Sequence, residues 1–131
     1  MEAVSRGAAE AGGRVLAVTA RVFGGPANRW VAEETVVETW RDRLFKLIEL
    51  GDAYVALPGG TGTLAEIAVV WEMLNKGILT PRPLVLLGDF WRPVLDPVQV
   101  IENQGSPWLA ATRKLVLCAV DPPEVCRLLH S

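Results

Sequence analysis

The chain has 131 residues, half of them apolar and 21% charged, with a formal net charge of −2. This is one domain's worth of ordinary globular composition, long enough to bury a core. A near-neutral balance advertises no basic face, so nucleic acid is not expected as a partner. No apolar run approaches the ~20 residues of a membrane-spanning helix.

The opening Met-Glu-Ala-Val-Ser-Arg-Gly has no hydrophobic signal region. Residues 1–11 read as a helix, with Ala3, Val4, Ala8 and Ala11 on one apolar face and Gly12-Gly13 as the stop. Residues 14–19 (RVLAVT) are β-branched and predict a strand. Gly24, Gly25, Pro26 and Asn28 make 20–32 a loop, and a short extended piece fits 35–37. Thr39 is placed to cap a helix that runs to Leu50, with Gly51 ending it. Residues 53–57 and 83–87 are buried-strand candidates on either side of a helix over 61–76. Residues 90–103 predict another helix, which Pro93 and Pro97 break or confine. Residues 114–118 (KLVLC) give a last strand, and 122–129 a last helix with proline in its first turn.

Short strands without alternation, separated by helices, predict a parallel sheet covered on both faces, an α/β fold of the doubly wound, Rossmann-like kind. No repeat or linker divides the chain, which reads as a single nucleotide-binding domain over 1–131. Cys118 and Cys126 are too few for a disulfide scaffold and lack a metal spacing. They predict buried or half-buried thiols in a reducing cytoplasm. His130, the one histidine, sits beside the C-terminus, which argues against histidine triads and histidine metal sites.

The most informative residues are 58–66, Pro-Gly-Gly-Thr-Gly-Thr-Leu-Ala-Glu, lying between a predicted strand and a predicted helix. Glycines there let backbone approach a ligand, threonines add hydroxyl donors, and the N–H groups and dipole of the new helix favour an anion. Glu66 lies about one turn into that helix. A carboxylate beside an anion site weakens affinity and so suggests chemistry; its plain alternative is a first-turn glutamate complementing the helix dipole. In open α/β sheets, ligands sit beyond the carboxyl ends of strands, which is where this loop falls.

The run PGGTGTLAE resembles the PGGxGTxxE motif of the Lonely Guy family. These are cytokinin riboside 5′-monophosphate phosphoribohydrolases and their bacterial relatives, long labelled lysine-decarboxylase-like. Residues 40–53, through Arg41-Asp42-Arg43 and Gly51-Asp52-Ala53, follow the family's approach to the motif. Met1-Glu2-Ala3, Gly7-Ala8 and Gly12-Gly13 look like its GGGPGxMEAxxxGAxxAGG stretch. The likeness covers residues 1 to about 90.

By position the resemblance makes Arg43 and Glu66 the catalytic pair. Read by composition alone, beside Arg41, Asp42 and Lys46, Arg43 would be a solvated helix residue. The resemblance also implies that Gly59, Gly60, Thr61, Gly62 and Thr63 hold the phosphate of a nucleoside monophosphate. It further implies a homodimer, with no metal and no cofactor. A strand, a helix and a second strand ending in a GGG turn precede the Met-Glu-Ala stretch in the family. The expectation is therefore that Met1 is an internal methionine and that the first two, central strands are missing.

Thr61 replaces the tyrosine of plant-type members, and Ile67-Ala68-Val69-Val70-Trp71-Glu72 departs from the family's Thr-Trp pattern, so the base is not specified. The activity implied is hydrolysis of the N-glycosidic bond of a nucleoside 5′-monophosphate. A nucleotide-binding or sensing module without turnover, or an inactive truncated remnant, is the alternative. Decarboxylation through pyridoxal phosphate would need a Schiff-base lysine, and Lys46, Lys76 and Lys114 all lie away from the glycine loop. Of the remaining residues, Glu33, Glu34 and Glu38 are candidates for a ribose or base contact. Trp71 and Met73 read as core or interface residues, and Trp30, Trp40, Trp91 and Trp108 as packing residues.

Overall fold

The computed structural model describes residues 1–104 and 114–131, so Trp108 lies outside the described residues. It divides into two compact units, Met1–Gly51 and Asp52–Ser131.

In the first unit, helix α1 (Glu2–Glu10) ends where Gly12 takes a positive φ of 82°, and Gly13 N–H returns to the Ala8 carbonyl at 2.8 Å. Only glycine adopts that turn without strain, so the Gly12-Gly13 stop forms where the sequence puts it. Strand β1 (Leu16–Ala20) follows, then a 3-10 turn over Arg21–Phe23 and an irregular loop to β2 (Glu33–Val37). The two strands pair in parallel, with Leu16 opposite Glu33 and Ala20 opposite Val37. β2 is longer than the sequence predicts because its first residues, Glu33 and Glu34, are polar and carry no strand signal. Helix α2 (Trp40–Leu50) begins at Thr39, whose Oγ1 accepts from Asp42 N–H at 3.1 Å and donates to the Asp42 carboxylate at 2.7 Å. Leu44 and Ile48, one turn apart, form its buried stripe, and α2 packs on β1.

In the second unit, β3 (Tyr54–Ala56), β4 (Leu84–Leu87) and β5 (Val116–Ala119) form a parallel sheet in the order β3-β4-β5. Tyr54 lies opposite Leu84, and Leu84 opposite Val116. The central strand is the most buried, with Val85 at 0% exposure. Helix α3 (Thr61–Asn75) buries Ile67, Val70, Trp71 and Leu74, the i, i+3, i+4, i+7 spacing of a core-facing helix. Helix α4 (Arg92–Gln104) runs through Pro97 unbroken. A proline there removes the hydrogen bond to the carbonyl of residue 93 and weakens the helix locally without ending it. Helix α5 (Pro122–Leu129) is capped by Asp121, which accepts from Glu124 N–H at 2.8 Å, while the Glu124 carboxylate accepts from Val120 N–H at 2.8 Å. Val125 of α5 joins Val85 and Ala119 in the core of this unit.

Every pairing among the described strands is parallel and the sheets are flanked by helices, so the architecture is α/β, Rossmann-like and doubly wound. Two expectations about side chains fail. Cys118 and Cys126 are both exposed. β5 lies at the edge of its sheet, with Val116 and Ala119 buried and Cys118 exposed between them, and Cys126 follows buried Val125 about 100° round α5, off its buried stripe. Trp40 is likewise 44% exposed, because it opens α2 a full turn ahead of Leu44, at the end of the buried stripe.

Candidate functional site

Strand β3 ends at Ala56, and the next residue anchors the loop. The Leu57 carbonyl accepts a hydrogen bond from the Trp91 indole N–H at 3.0 Å. Trp91 is only 4% exposed and meets Phe90 edge-to-face at 4.9 Å. Pro58, Gly59 and Gly60 then run exposed to the N-cap of α3.

Gly60 has extended backbone, φ −97° and ψ −158°, and offers no side-chain cap. The first intrahelical bond runs from Leu64 N–H to the Gly60 carbonyl at 3.1 Å, so the N–H groups of Thr61, Gly62 and Thr63 precede the helical ladder. In α2 and α5 a threonine and an aspartate supply the cap that α3 lacks. An uncapped helix start at the carboxyl end of a parallel strand, its residues 61 and 62 exposed, can receive an anion.

Glu66 is half-buried and stands beside buried Ile67. It lies in the second turn of α3, and the first turn holds no acidic residue. The dipole effect decays within the first turn, so the reading of Glu66 as a first-turn dipole partner does not describe it. The loop residues 59–63 and Glu66 thus belong to one strand–loop–helix segment of the second unit.

Arg43 belongs to the first unit. It is half-buried on α2, beside buried Leu44, and its Nε donates to the Val18 carbonyl of β1 at 3.1 Å. This bond, between residues 25 apart in sequence, orients the guanidinium. It is not the arrangement of a solvated surface arginine. In the same unit Glu33 pairs with Arg14, Glu34 accepts from the Thr19 hydroxyl at 2.6 Å, and Glu38 pairs with Arg21 at 2.8 Å. The candidate acids are thus engaged by residues at and beside β1. Trp30, half-buried, carries the Arg29 guanidinium 4.9 Å from its ring centroid. Trp71 lies in the core, in keeping with its apolar spacing.

Two anchors were not read from the sequence, the Trp91 indole that holds Leu57 and the Val18 carbonyl that holds Arg43. The first had a signal, since an indole N–H that is buried needs an acceptor. The second, a main-chain carbonyl, had none.

Among the described residues no cluster of three or more histidine, cysteine or acidic side chains is placed to hold a metal. No described helix is long and apolar enough to cross a membrane. Lys46 pairs with Glu49 in the first unit. Lys76 pairs with Glu72 at the far end of α3, ~22 Å along the helix from the glycine loop at 1.5 Å per residue. His130 Nδ1 lies 2.6 Å from the Cys126 carbonyl at the end of α5. Desolvation, with Asp96 and Asp89 nearby, pushes the Cys118 thiol above its ordinary value, while Arg92 pulls the other way.

A protein-family model described as "Possible lysine decarboxylase" matches residues 1–129. The chain is 32% identical over 123 residues to a cytokinin riboside 5′-monophosphate phosphoribohydrolase of Rhodococcoides fascians, covering 90% of this chain and 62% of that protein. It is 29% identical over 101 residues to cytokinin riboside 5′-monophosphate phosphoribohydrolase LOG2 of Arabidopsis thaliana, covering 76% and 47%. The rice enzyme (Oryza sativa subsp. japonica) of the same name, LOG, is 32% identical over 76 residues, covering 57% and 31%. The chain thus spans between 31% and 62% of the length of these relatives.

Proposed function

Because the chain belongs to the family described as "Possible lysine decarboxylase", and the curated relatives it matches are named phosphoribohydrolases, we propose that it hydrolyses the N-glycosidic bond of a nucleoside 5′-monophosphate. The products are the free base and ribose 5-phosphate. AMP is the simplest substrate of this class, and a cytokinin riboside monophosphate is the kind named for the relatives.

The observation that carries the proposal is the uncapped start of α3 beyond β3, with Glu66 one turn further on. Cleavage passes through an oxocarbenium-like centre at the anomeric carbon, which a carboxylate can stabilise or attack indirectly by activating water. Water adds to that carbon, the C–N bond breaks, and the base leaves with a proton. We assign this carboxylate role to Glu66. To Arg43 we assign, from the family resemblance, a cation that orients the nucleotide. The backbone around Gly59, Gly60 and Gly62, with Thr61 and Thr63, grips the phosphate, so binding energy remote from the reacting bond positions it. A homodimer in the cytoplasm is part of the same proposal, resting on the family resemblance and on two unbridged thiols.

The test is release of adenine from AMP, followed by chromatography, in the wild type and in Glu66→Gln. The variant keeps the shape and loses the charge, so release is expected to fall by at least ~100-fold, the order of a positioned acid–base group. Unchanged release in the variant refutes the role of Glu66. AMP binding without release by the wild type favours the non-catalytic nucleotide-binding module instead.

A further inference from the structure

Strands β3 and β4 stay paired to Ala56 opposite Leu86, so the loops that leave their carboxyl ends stand side by side. One is the glycine loop. The other is the turn over residues 88–91, which is fixed at three points. Gly88 takes a positive φ of 76°, which glycine adopts without strain, and its N–H donates to the Ala119 carbonyl at 2.8 Å. Arg92 N–H donates to the Asp89 carbonyl at 3.2 Å. The Trp91 indole donates across to Leu57, the residue before Pro58 and the glycines. The charged side chains here engage one another, Arg92 pairing with Asp89 at 3.6 Å and with Asp96 at 3.4 Å.

Phe90 stands apart from these contacts. It is 55% exposed, the one exposed aromatic ring among the described residues of the second unit, while neighbouring Trp91 is buried. A single exposed apolar side chain needs no explanation by itself. Phe90 differs in being held, since its ring meets Trp91 edge-to-face with the planes 86° apart. Whichever ring supplies the edge, that geometry leaves at least one face of Phe90 uncovered by Trp91. We propose that Phe90 is a specificity-determining residue, on whose open face the aromatic base of the nucleotide stacks while the phosphate sits in the glycine loop. This rests on the phosphate-binding reading above and adds the base end of the site. Phosphate and base are the two ends of the substrate, so anchoring both holds the C–N bond between ribose and base in place. A ring fixed by its neighbour and by a fixed turn loses little freedom when a base lands on it. It reads the flat face of the base and not its hydrogen-bonding edge, so it selects nucleotides over sugar phosphates without singling out one base.

The experiment compares AMP with ribose 5-phosphate, which has the phosphate and sugar but no base. Both affinities are measured by titration calorimetry in a Glu66→Gln background that stops turnover, at a temperature where melting curves show every variant folded. Phe90→Ala is expected to weaken AMP at least about fivefold, the lower end of what one base–aromatic stack contributes, and to leave ribose 5-phosphate unchanged. Phe90→Tyr keeps the ring and is expected to retain AMP affinity. Phe90→Leu keeps apolar bulk without the ring and is expected to lose affinity as alanine does. AMP affinity unchanged in Phe90→Ala, or retained in Phe90→Leu, overturns the stacking role. Equal losses for AMP and ribose 5-phosphate overturn it too, because a residue that only shapes the loop moves both ligands alike. So does a parent that binds ribose 5-phosphate as tightly as AMP, since the base then adds nothing. A parent that binds neither sinks the phosphate-binding reading itself, and the role of Phe90 with it.

Discussion

Replacing Trp91 by phenylalanine removes the indole N–H that holds the Leu57 carbonyl at 3.0 Å, while leaving an aromatic ring in a site only 4% exposed. The net loss of a neutral hydrogen bond is ~0.5–1.5 kcal/mol, and leaving the partly buried carbonyl without its donor adds up to ~1–2 kcal/mol. The smaller ring leaves a void where the five-membered ring packed, so the total is ~2–3 kcal/mol. For a chain of this size each kcal/mol moves the melting temperature by ~3–4 °C, so the variant should melt ~6–12 °C lower by calorimetry or circular dichroism. Leu57 directly precedes the glycine loop, so the same variant should also bind AMP more weakly, read at a temperature where it is fully folded. Trp40→Phe is the control: that tryptophan is 44% exposed, and its replacement should cost less than ~0.5 kcal/mol. If Trp91→Phe melts within ~2 °C of the wild type, the indole–carbonyl bond does not anchor the loop and the reasoning fails.

Thr39→Ala removes both the acceptor for Asp42 N–H and the donor to its carboxylate, and should destabilise the protein by ~1 kcal/mol in chemical denaturation, with Thr39→Ser recovering most of it. The Cys118 thiol titrates above its ordinary value of 9.0 in the folded protein, because partial desolvation disfavours the thiolate. Its contribution to stability is therefore complete below the unfolded value and is lost as pH rises through the folded one, since the unfolded chain releases the proton first. In a Cys126→Ser background the pH midpoint for iodoacetamide labelling should lie higher for folded protein than for protein in urea, and equal midpoints would refute the shift.

Much of the fold is set by local chemistry and could be read from the residues. Thr39 caps α2 because a threonine oxygen two to three residues ahead of free N–H groups bonds them whatever surrounds it. α5 begins at Pro122 and ends at Leu129 where the proline rule and the apolar spacing place it, and α3 ends at Asn75, one residue short of the predicted 76. Parallel pairing followed from strands that are apolar on both faces. The strand–loop–helix order around 58–66 was legible too, because the glycine run marks the turn and the apolar spacing after it marks the helix.

What the sequence could not settle depends on partners distant in the chain. Whether Cys118 is covered depends on what packs over its end of β5, which no local pattern states. Trp91 finds its acceptor 34 residues away, and Arg43 is oriented by a main-chain carbonyl, a group every residue carries and no motif marks. The surroundings of the loop glycines also needed tertiary structure: a Cβ at Gly59 would meet Thr63, and one at Gly60 or Gly62 would meet nothing within 4 Å outside its own chain neighbours and local helix backbone. Local propensity and capping determine where elements lie; which side chains and carbonyls meet is decided by packing, and packing sums contacts across the whole chain.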